Sequence, residues 1–517
     1  MREKIQAAFE TGQFELGQVD ISKIKIDINS RDQIPQILLG LQQLYNDKDI
    51  LEEAFCILED EVITKRDVQK NNGRAGMNLW QILVMGILRL NNNWDYDHLE
   101  NMVNSHQEIR LMLGITSWDK FRFKRKTIIN NFKLISAEAF DRISDLVVKV
   151  GHRLLEVEDE DLKTRVDSFV VETNVKHPTD SNLLMDAARK IFHVVFWLRS
   201  FLNLDIGHSK NELKEIKKLF NKIRKMRHSN SKNDKIKRKR EDEIKAAHQV
   251  FLEKIQELLN KVQTTFSDLP DYLFNEEVVT QKVSELSGYL DYAVYHIDLI
   301  TRRVLQGKTI SHHEKIFSIF EYYTRWIVKG KAKAPVELGL RVAVMDDQYG
   351  FILHSGVMYK SVEEQILESS IDNLTTSQIT DEKITLSFTK EATRKHKNID
   401  SVSFDKGFYT PATKACLKET VNELILPKKG KLSEKDKDEQ ASAYFVEGRQ
   451  KHAGIESCIH ALENHGLDVC PDKGLKAFKR YVSCAILARN LQVLGSHIRK
   501  RELARLKAET SRTLKAA

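Results

Sequence analysis

Hydrophobic positions divide the chain into stretches of different period. Through the first 140 or so residues they recur at helical spacing. Leu79–Leu90 (LWQILVMGILRL) is almost wholly apolar; it is too short to span a bilayer and carries an arginine, so it predicts a buried helix. Asn78-x-x-Gln81 and Asp97-x-x-Glu100 have capping-box spacing, and NNNWDY lies between them as a turn. From Thr164 the pattern changes: TRVDSFVVETNV is rich in β-branched residues and predicts a strand. KHPTDSNLL then turns into a helix running to about Leu204. Across 205–310 the period is that of coiled coils. Leu213, Ile216, Phe220 and Ile223 form one seam, and Phe251, Ile255, Leu258 and Val262 a second.

Strands return after Pro335. ELGLRVAVM and GFILHSGVM flank DDQY, an acidic turn, and predict a β-hairpin. A helical segment follows, then IDSVSFDKGFY, a strand ending in Asp405. Next come a helix (ATKACLKETV), a short strand (NELILP) and a charged loop (KKGKLSEKDKDE). The last long element runs from about Gly454 to Arg499, broken near Gly466–Gly474. A strand, an interruption, two hairpin strands and then alternating helices and strands is the element order of a ribonuclease-H-like α/β core. The fold expected is multi-domain, α and α/β. It has an N-terminal helical region (1–140), a ribonuclease-H-like core in two parts (141–204 and 335–495), a long helical insertion (205–334) and a basic C-terminal tail (496–517).

Composition sharpens this only in places. A chain of 517 residues with 41% hydrophobic and 30% charged residues has the profile of a globular protein with several cores. Its seven prolines favour long uninterrupted helices. The five cysteines make no CxxC pair or zinc-finger spacing and are expected as free thiols in a reducing cytoplasm. The N-terminus MREKIQAAFETGQFEL lacks the apolar core of a secretory signal, so no membrane partner is expected.

The formal net charge of +8 fits a polyanionic partner without requiring one, so its distribution matters. Between the two seams lies KIRKMRHSNSKNDKIKRKRE, without an apolar stripe. The simplest picture is an antiparallel helical hairpin with a basic tip, either a contact for DNA phosphates or a solvated charge run. Lys120–Lys133 (KFRFKRKTIINNFK) interleaves basic and aromatic residues and carries the same two readings. The capped helices on either side of NNNWDY are either a helix-turn-helix or two core helices.

Chemistry on phosphodiesters with divalent metals needs carboxylates converging from separate elements, because hard Mg²⁺ prefers oxygen. Asp167 is the one acid in the apolar heart of the first strand, and Asp405 ends a central strand. A third ligand should come from a helix beside them. Glu456 in HAGIESCIHALE stands within an otherwise apolar stretch with His452 one turn earlier, and Glu463 two turns later is the alternative.

RVDSFVVETNVKHPTDSNLLMDAARK resembles the first-aspartate block of bacterial insertion-sequence DDE transposases, with its VD(S/T)-x-V-x-x-x-N-x-x-x-PTD-x-x-LL pattern. FDKGFYTPATKACL resembles their second-aspartate block. RQKHAGIESCIHALENHGLDVCPDKGLKAFKRYVSCAILARNLQVLG resembles their glutamate block, down to ARNL-x-x-LG. GRAGMNLWQILVMGILRLNNNWDYDHLE and HHEKIFSIFEYYTRWIVKGKAKAPVELG are also similar, so the likeness runs through most of the chain and points to the ISNCY family. The resemblance implies catalytic metal ligands at Asp167, Asp405 and Glu456, and two Mg²⁺ ions that Mn²⁺ can replace. It implies cleavage and strand transfer at terminal inverted repeats of double-stranded DNA by a homodimer or larger assembly. Asn174, Pro178, Thr179 and Asp180 fall in the motif beside the first aspartate; they either support the site or form a strand-to-helix turn with Thr179 or Asp180 as cap. Many relatives in the wider group flank the glutamate with arginine and lysine; here Arg449 and Lys451 precede Glu456, while Glu463 stands where the lysine is expected. Three rival readings are a nuclease that cuts without joining, a DNA-binding protein that has lost the chemistry, and a helical scaffold whose acids are structural.

Overall fold

The computed structural model describes residues 3–6, 9, 11–14, 17–63, 76–116, 118–203, 210–267, 276–328, 336–359 and 381–516. They form two compact units. The first is Met1–Asn174, Ile327–Tyr359 and Ile379–Ala517; the second is Val175–Trp326 and Lys360–Gln378.

In the first unit the helices α1 (Gln33–Asn46), α2 (Lys48–Val62), α3 (Leu79–Asn91), α4 (Tyr96–Ser105), α5 (Gln107–Met112), α6 (Arg125–Phe132) and α7 (Ala137–Leu155) come first. The capping box at Asn78 and Gln81 is present, and every residue of α3 is buried. The first helix of the pair around NNNWDY is thus a core helix, while the second buries only Leu99 and Val103. The second helix is capped by Asp95, not Asp97. The reason lies in Tyr96, whose ring takes the buried Arg89 guanidinium at 4.0 Å; the helix must therefore already have begun at Tyr96.

These helices gather on α17 (Leu475–Ala516), which packs on α1, α3 and α7. Gly40 and Gly495 let α1 and α17 touch backbone to backbone. A Cβ on Gly40 would fall 2.2 Å from the Leu491 carbonyl oxygen, and one on Gly495 would fall 1.8 Å from that of Gln36. Asn490 is fully buried and binds the edge of the sheet: its side chain accepts from the Ile352 N–H (2.8 Å) and donates to the Ile352 carbonyl and the Ser144 hydroxyl (both 2.9 Å). The conspicuous ARNL-x-x-LG stretch thus has a packing explanation. It also makes the N-terminal helices part of the sheet's unit rather than a separate region ending at 140. The expected tail at 496–517 continues α17 to Ala516.

The described strands form one mixed sheet of seven: β1 (Leu162–Thr173), β2 (Arg325–Val328), β3 (Val336–Asp346), β4 (Ile352–Val357), β5 (Ile399–Phe404), β6 (Glu423–Ile425) and β7 (Val469–Cys470). Its order is β2-β3-β1-β5-β6, with β4 also on β3 and β7 on β1. β1 runs antiparallel to β3 and parallel to β5, which is parallel to β6. Crossovers between the parallel strands are helical: α12 (Asp381–Lys395) precedes β5 and α13 (Pro411–Lys418) joins β5 to β6. The DDQY turn forms as expected, but its acids are interior. Asp347 accepts from the Tyr349 and Phe351 N–H groups and pairs with His152 at 2.7 Å. The stretch expected as a charged loop holds α14 (Glu434–Ala441), because Ser433 and Asp436 form a capping box.

In the second unit α8 (Asp180–Leu202), α9 (Lys210–Lys225), α10 (Asp234–Ser267) and α11 (Glu277–Ile300) share one apolar cluster. The two seams meet as an antiparallel hairpin: Glu212 pairs with Lys261 (2.6 Å), Glu215 with Lys254 (3.7 Å), and the Phe220 and Phe251 rings lie 6.2 Å apart. The hairpin is not free-standing, since α8 and α11 pack closely against each other in the same cluster. For that reason the second unit begins at Val175, taking in the helix after β1, and not at 205. The expected boundaries at 204/205 and 334/335 lie outside the described residues.

Candidate active site

β1 carries Asp167 in the sheet, where it pairs with Val344 of β3, one residue beyond the last β1–β5 pair. Its register with β5 sets Val166 beside Phe404. The next residue along each chain direction is an aspartate, so Asp167 on β1 and Asp405 just after β5 are level with each other. Asp405 lies just past the end of β5 with its side chain 56% exposed, open to a ligand. The chain then makes a short 3-10 turn, Lys406–Phe408, in which Gly407 has ordinary negative φ. The turn does not need glycine there; a Cβ at Gly407 would meet nothing, so the space beside Asp405 is clear.

Two groups on α15 (Ala443–His452) face Asp405. Arg449 Nη1 lies 3.5 Å and His452 Nε2 3.6 Å from its Oδ1. Arg449 also donates weakly to the Phe404 carbonyl at 3.4 Å. His452 is buried, and its Nδ1 sits 3.0 Å from the Ser403 hydroxyl on β5. Burial pushes the His452 pKa down and outweighs the pull of Asp405, so the imidazole is held neutral. Lys451 pairs with Glu447 on its own helix instead of facing the aspartates.

The helix that carries Glu456 is α16 (Gly454–Leu462), separated from α15 by a break at Ala453. His452 therefore lies on a different helix from Glu456. α16 starts against β1: a Cβ on Gly454 would fall 1.9 Å from Arg165 Nη1, and that nitrogen donates to the Lys451 carbonyl at 3.3 Å. Arg165 and Asp167 are two apart on a strand and so share one face of the sheet. Glu456 is thus in the first turn of a helix laid on the face that bears Asp167. It is not on the apolar side of that helix, which is Ile455, Cys458 and Leu462; Glu456 is exposed beside it. Glu463 falls past the end of α16, 3.8 Å from His460. Among the described residues no three His, Cys, Asp or Glu side chains stand close enough together to hold a metal ion. The structure aligns Asp167 with Asp405 and leaves Glu456 outside any such cluster.

Sequence reasoning passed over the group that anchors this face. Arg165 makes a two-pronged ion pair with Asp346 on β3 (2.8 and 2.7 Å) and donates to the Asp347 carbonyl (2.9 Å). Asp346 is 1% exposed. Burial pushes its pKa up to about 6 against the pull of Arg165. The signal available beforehand was an arginine two residues before Asp167, on the same strand face. Of the motif after β1, Thr179 caps α8 by accepting from the Asn182 N–H (3.2 Å), and Asp180 pairs with Arg303 at 2.9 Å. Asn174 is exposed. This is the turn-and-cap reading. All five cysteines are free, and no described helix is long and apolar enough to cross a membrane.

No family model, curated protein or solved structure matches the chain.

Proposed function

We propose that this chain is a DDE-type DNA transposase with a ribonuclease-H-like core, acting through Asp167, Asp405 and Glu456. The observation that carries the reading is the β1–β5 register, which sets Asp167 of β1 level with Asp405, the exposed residue that follows β5. Strands hold carboxylates within the tolerance that catalysis requires. The strand order supports the fold: a hairpin on one side of β1, two parallel strands joined by a helix on the other, and closing helices.

The donors present suit hard cations. Two divalent ions bound by Asp167, Asp405 and Glu456 would supply Lewis acidity and an activated attacking oxygen. The chain's own residues set the stage. Arg165, fixed by Asp346, seats the start of α16 on the Asp167 face. His452, kept neutral between Ser403 and Asp405, orients that carboxylate without adding charge, and Arg449 lowers the repulsion between neighbouring acids. The substrate proposed is double-stranded DNA at the element's inverted repeats. Cleavage and transfer of the freed 3′-hydroxyl follow, in a homodimer or larger assembly that holds two ends.

The test is cleavage of a supercoiled plasmid bearing the DNA that flanks the gene, in Mg²⁺, Mn²⁺ and EDTA. Wild type should cut at the repeat boundaries only with metal, and Asp405→Asn should lose on the order of 10²–10³-fold in rate. Equal cutting by the variant would overturn the site assignment. Binding of the ends by both proteins with no cutting would favour a DNA-binding protein, and cutting without joined products a nuclease.

A further inference from the structure

One of the chain's strongly basic runs lies in the second unit. Residues 222–245 hold eleven Lys or Arg and four Asp or Glu, a net +7, against +8 for all 517 residues. They form the distal end of the α9–α10 hairpin.

The two ends of the hairpin treat their cations differently. At the proximal end Lys261 is neutralised by Glu212 and Lys254 by Glu257 and Glu215. At the distal end Lys235, Lys237, Arg238 and Lys239 are exposed on the first turns of α10 without an ion pair among the described residues. A run of like charges on one helix destabilises it by repulsion, and partners for it were available, as the proximal end demonstrates. The tip is also held in shape. Arg227 donates to the carbonyls of Arg224 and Met226, Arg240 Nε donates to the Arg227 carbonyl (2.9 Å), and Asn233 accepts from the Lys235 N–H (2.9 Å) at the start of α10. The free cations therefore project from a fixed turn.

Below the tip is an open cleft of about 750 Å³, between the end of α9, the second and third turns of α10 and the first turn of α8. Arg224, Arg227, Lys245 and Arg303 line it, with Glu241 as the acid on its wall.

We infer that the distal end of the α9–α10 hairpin is a docking surface for the phosphate backbone of double-stranded DNA, with the cleft taking a phosphate of the same strand. This rests on DNA being the substrate, and it assigns to the second unit a share in binding that the carboxylate site does not explain. Clustered, unpaired Lys and Arg gain by releasing the counterions condensed on a duplex, whose charge density of one per ~1.7 Å matches such a run. Base-specific contacts are not required of it, so its contribution is independent of sequence.

The experiment measures duplex affinity against salt by fluorescence anisotropy, using the full chain and a random-sequence 30-mer. In the variant Lys237→Gln/Arg238→Gln/Lys239→Gln the slope of log K against log salt should fall by about 2.7, and affinity at 0.1 M salt on the order of 500-fold if the lines meet near 1 M. The control Lys254→Gln/Lys261→Gln removes charge from the proximal end and should leave the slope nearly unchanged. These positions are exposed except Lys254, which is half-buried, and thermal unfolding of each variant checks that the fold persists. An unchanged slope in the triple variant, with wild type binding normally, overturns the hairpin assignment and leaves the transposase reading standing. Equal losses in both variants also overturn it, since net charge alone would then explain binding. Tighter binding of duplex RNA than DNA by wild type overturns it too. Wild type failing to bind any duplex at 50 mM salt overturns both.

Discussion

The two units handle polar groups in opposite ways. The sheet unit buries paired and hydrogen-bonded polar groups: Arg165 with Asp346, His152 with Asp347, Arg89 with Asp472, and Asn490 with Ile352 and Ser144. The helical unit is built round one contiguous apolar cluster and keeps its dense charge outside, with His296 on α11 buried and unbonded. Buried ion pairs add little net stability over apolar packing, because desolvation offsets attraction. What they do is fix the geometry of the groups they hold, and one of them, Arg165, shares a face of β1 with Asp167. A helical cluster needs no such fixing to present a charged exterior. The lesson is that placement of polar groups, more than fold class, marks where position matters.

The largest effect should come from breaking that contrast at its centre. Arg165→Met leaves Asp346 buried without its partner and should cost about 3–5 kcal/mol of stability in the sheet unit. Arg189→Met removes the exposed partner of the part-exposed Asp186 in the helical unit and should cost at most ~1 kcal/mol. Urea unfolding of both variants is the check. Similar losses would erase the distinction between the units. Arg165→Met/Asp346→Leu should recover most of the loss, since an apolar pair replaces an orphaned charge.

His296 sharpens the comparison from the other side. Burial alone pushes its pKa from 6.5 down to about 4. Above pH 6.5 both folded and unfolded forms are neutral. As pH falls from 6.5 to about 4 the unfolded chain gains a proton that the folded one refuses, so stability is lost across that window, on the order of 3 kcal/mol. Buried histidines in the sheet unit, His354 and His396 among them, shift the same way and would blur a global measurement. Hydrogen exchange at α11 amides isolates the helical unit. His296→Leu should remove most of the acid dependence there, and an undiminished dependence would refute the role.

How much of this could be read from the sequence follows the range of each interaction. Local signals were legible: the Asn78 capping box, the hairpin around Asp347, the strand ending at Asp405 and both coiled-coil seams depend on neighbours in the chain. What was lost depended on distant ones. Asp95 displaces Asp97 as a cap because Tyr96 is drawn in under Arg89. The boundary of the second unit moves to Val175 because α8 pairs with α11, about a hundred residues on. Arg165 was passed over because its partner, Asp346, lies 181 residues away. At the candidate site the strand placement of Asp167 and the strand end before Asp405 are local patterns, and their alignment follows from the β1–β5 register. Glu456 needs the phase of a helix that breaks at Ala453, and no periodicity reports such a break.

The smallest effect tests the motif following β1, where a structural and a chemical role make different demands on one hydroxyl. Thr179 Oγ1 accepts from the Asn182 N–H and satisfies one of the open donors at the start of α8. Loss of such a cap costs ~1 kcal/mol, and glycine or serine replaces threonine with less harm than alanine. Thr179→Ala should therefore lower the stability of the helical unit by about 1 kcal/mol, and Thr179→Ser should restore it. Metal-dependent DNA cleavage at a temperature where both variants are fully folded should stay within about twofold of wild type. A fall in cleavage much larger than the fall in stability, and not rescued by serine, would move Thr179 from the scaffold to the site.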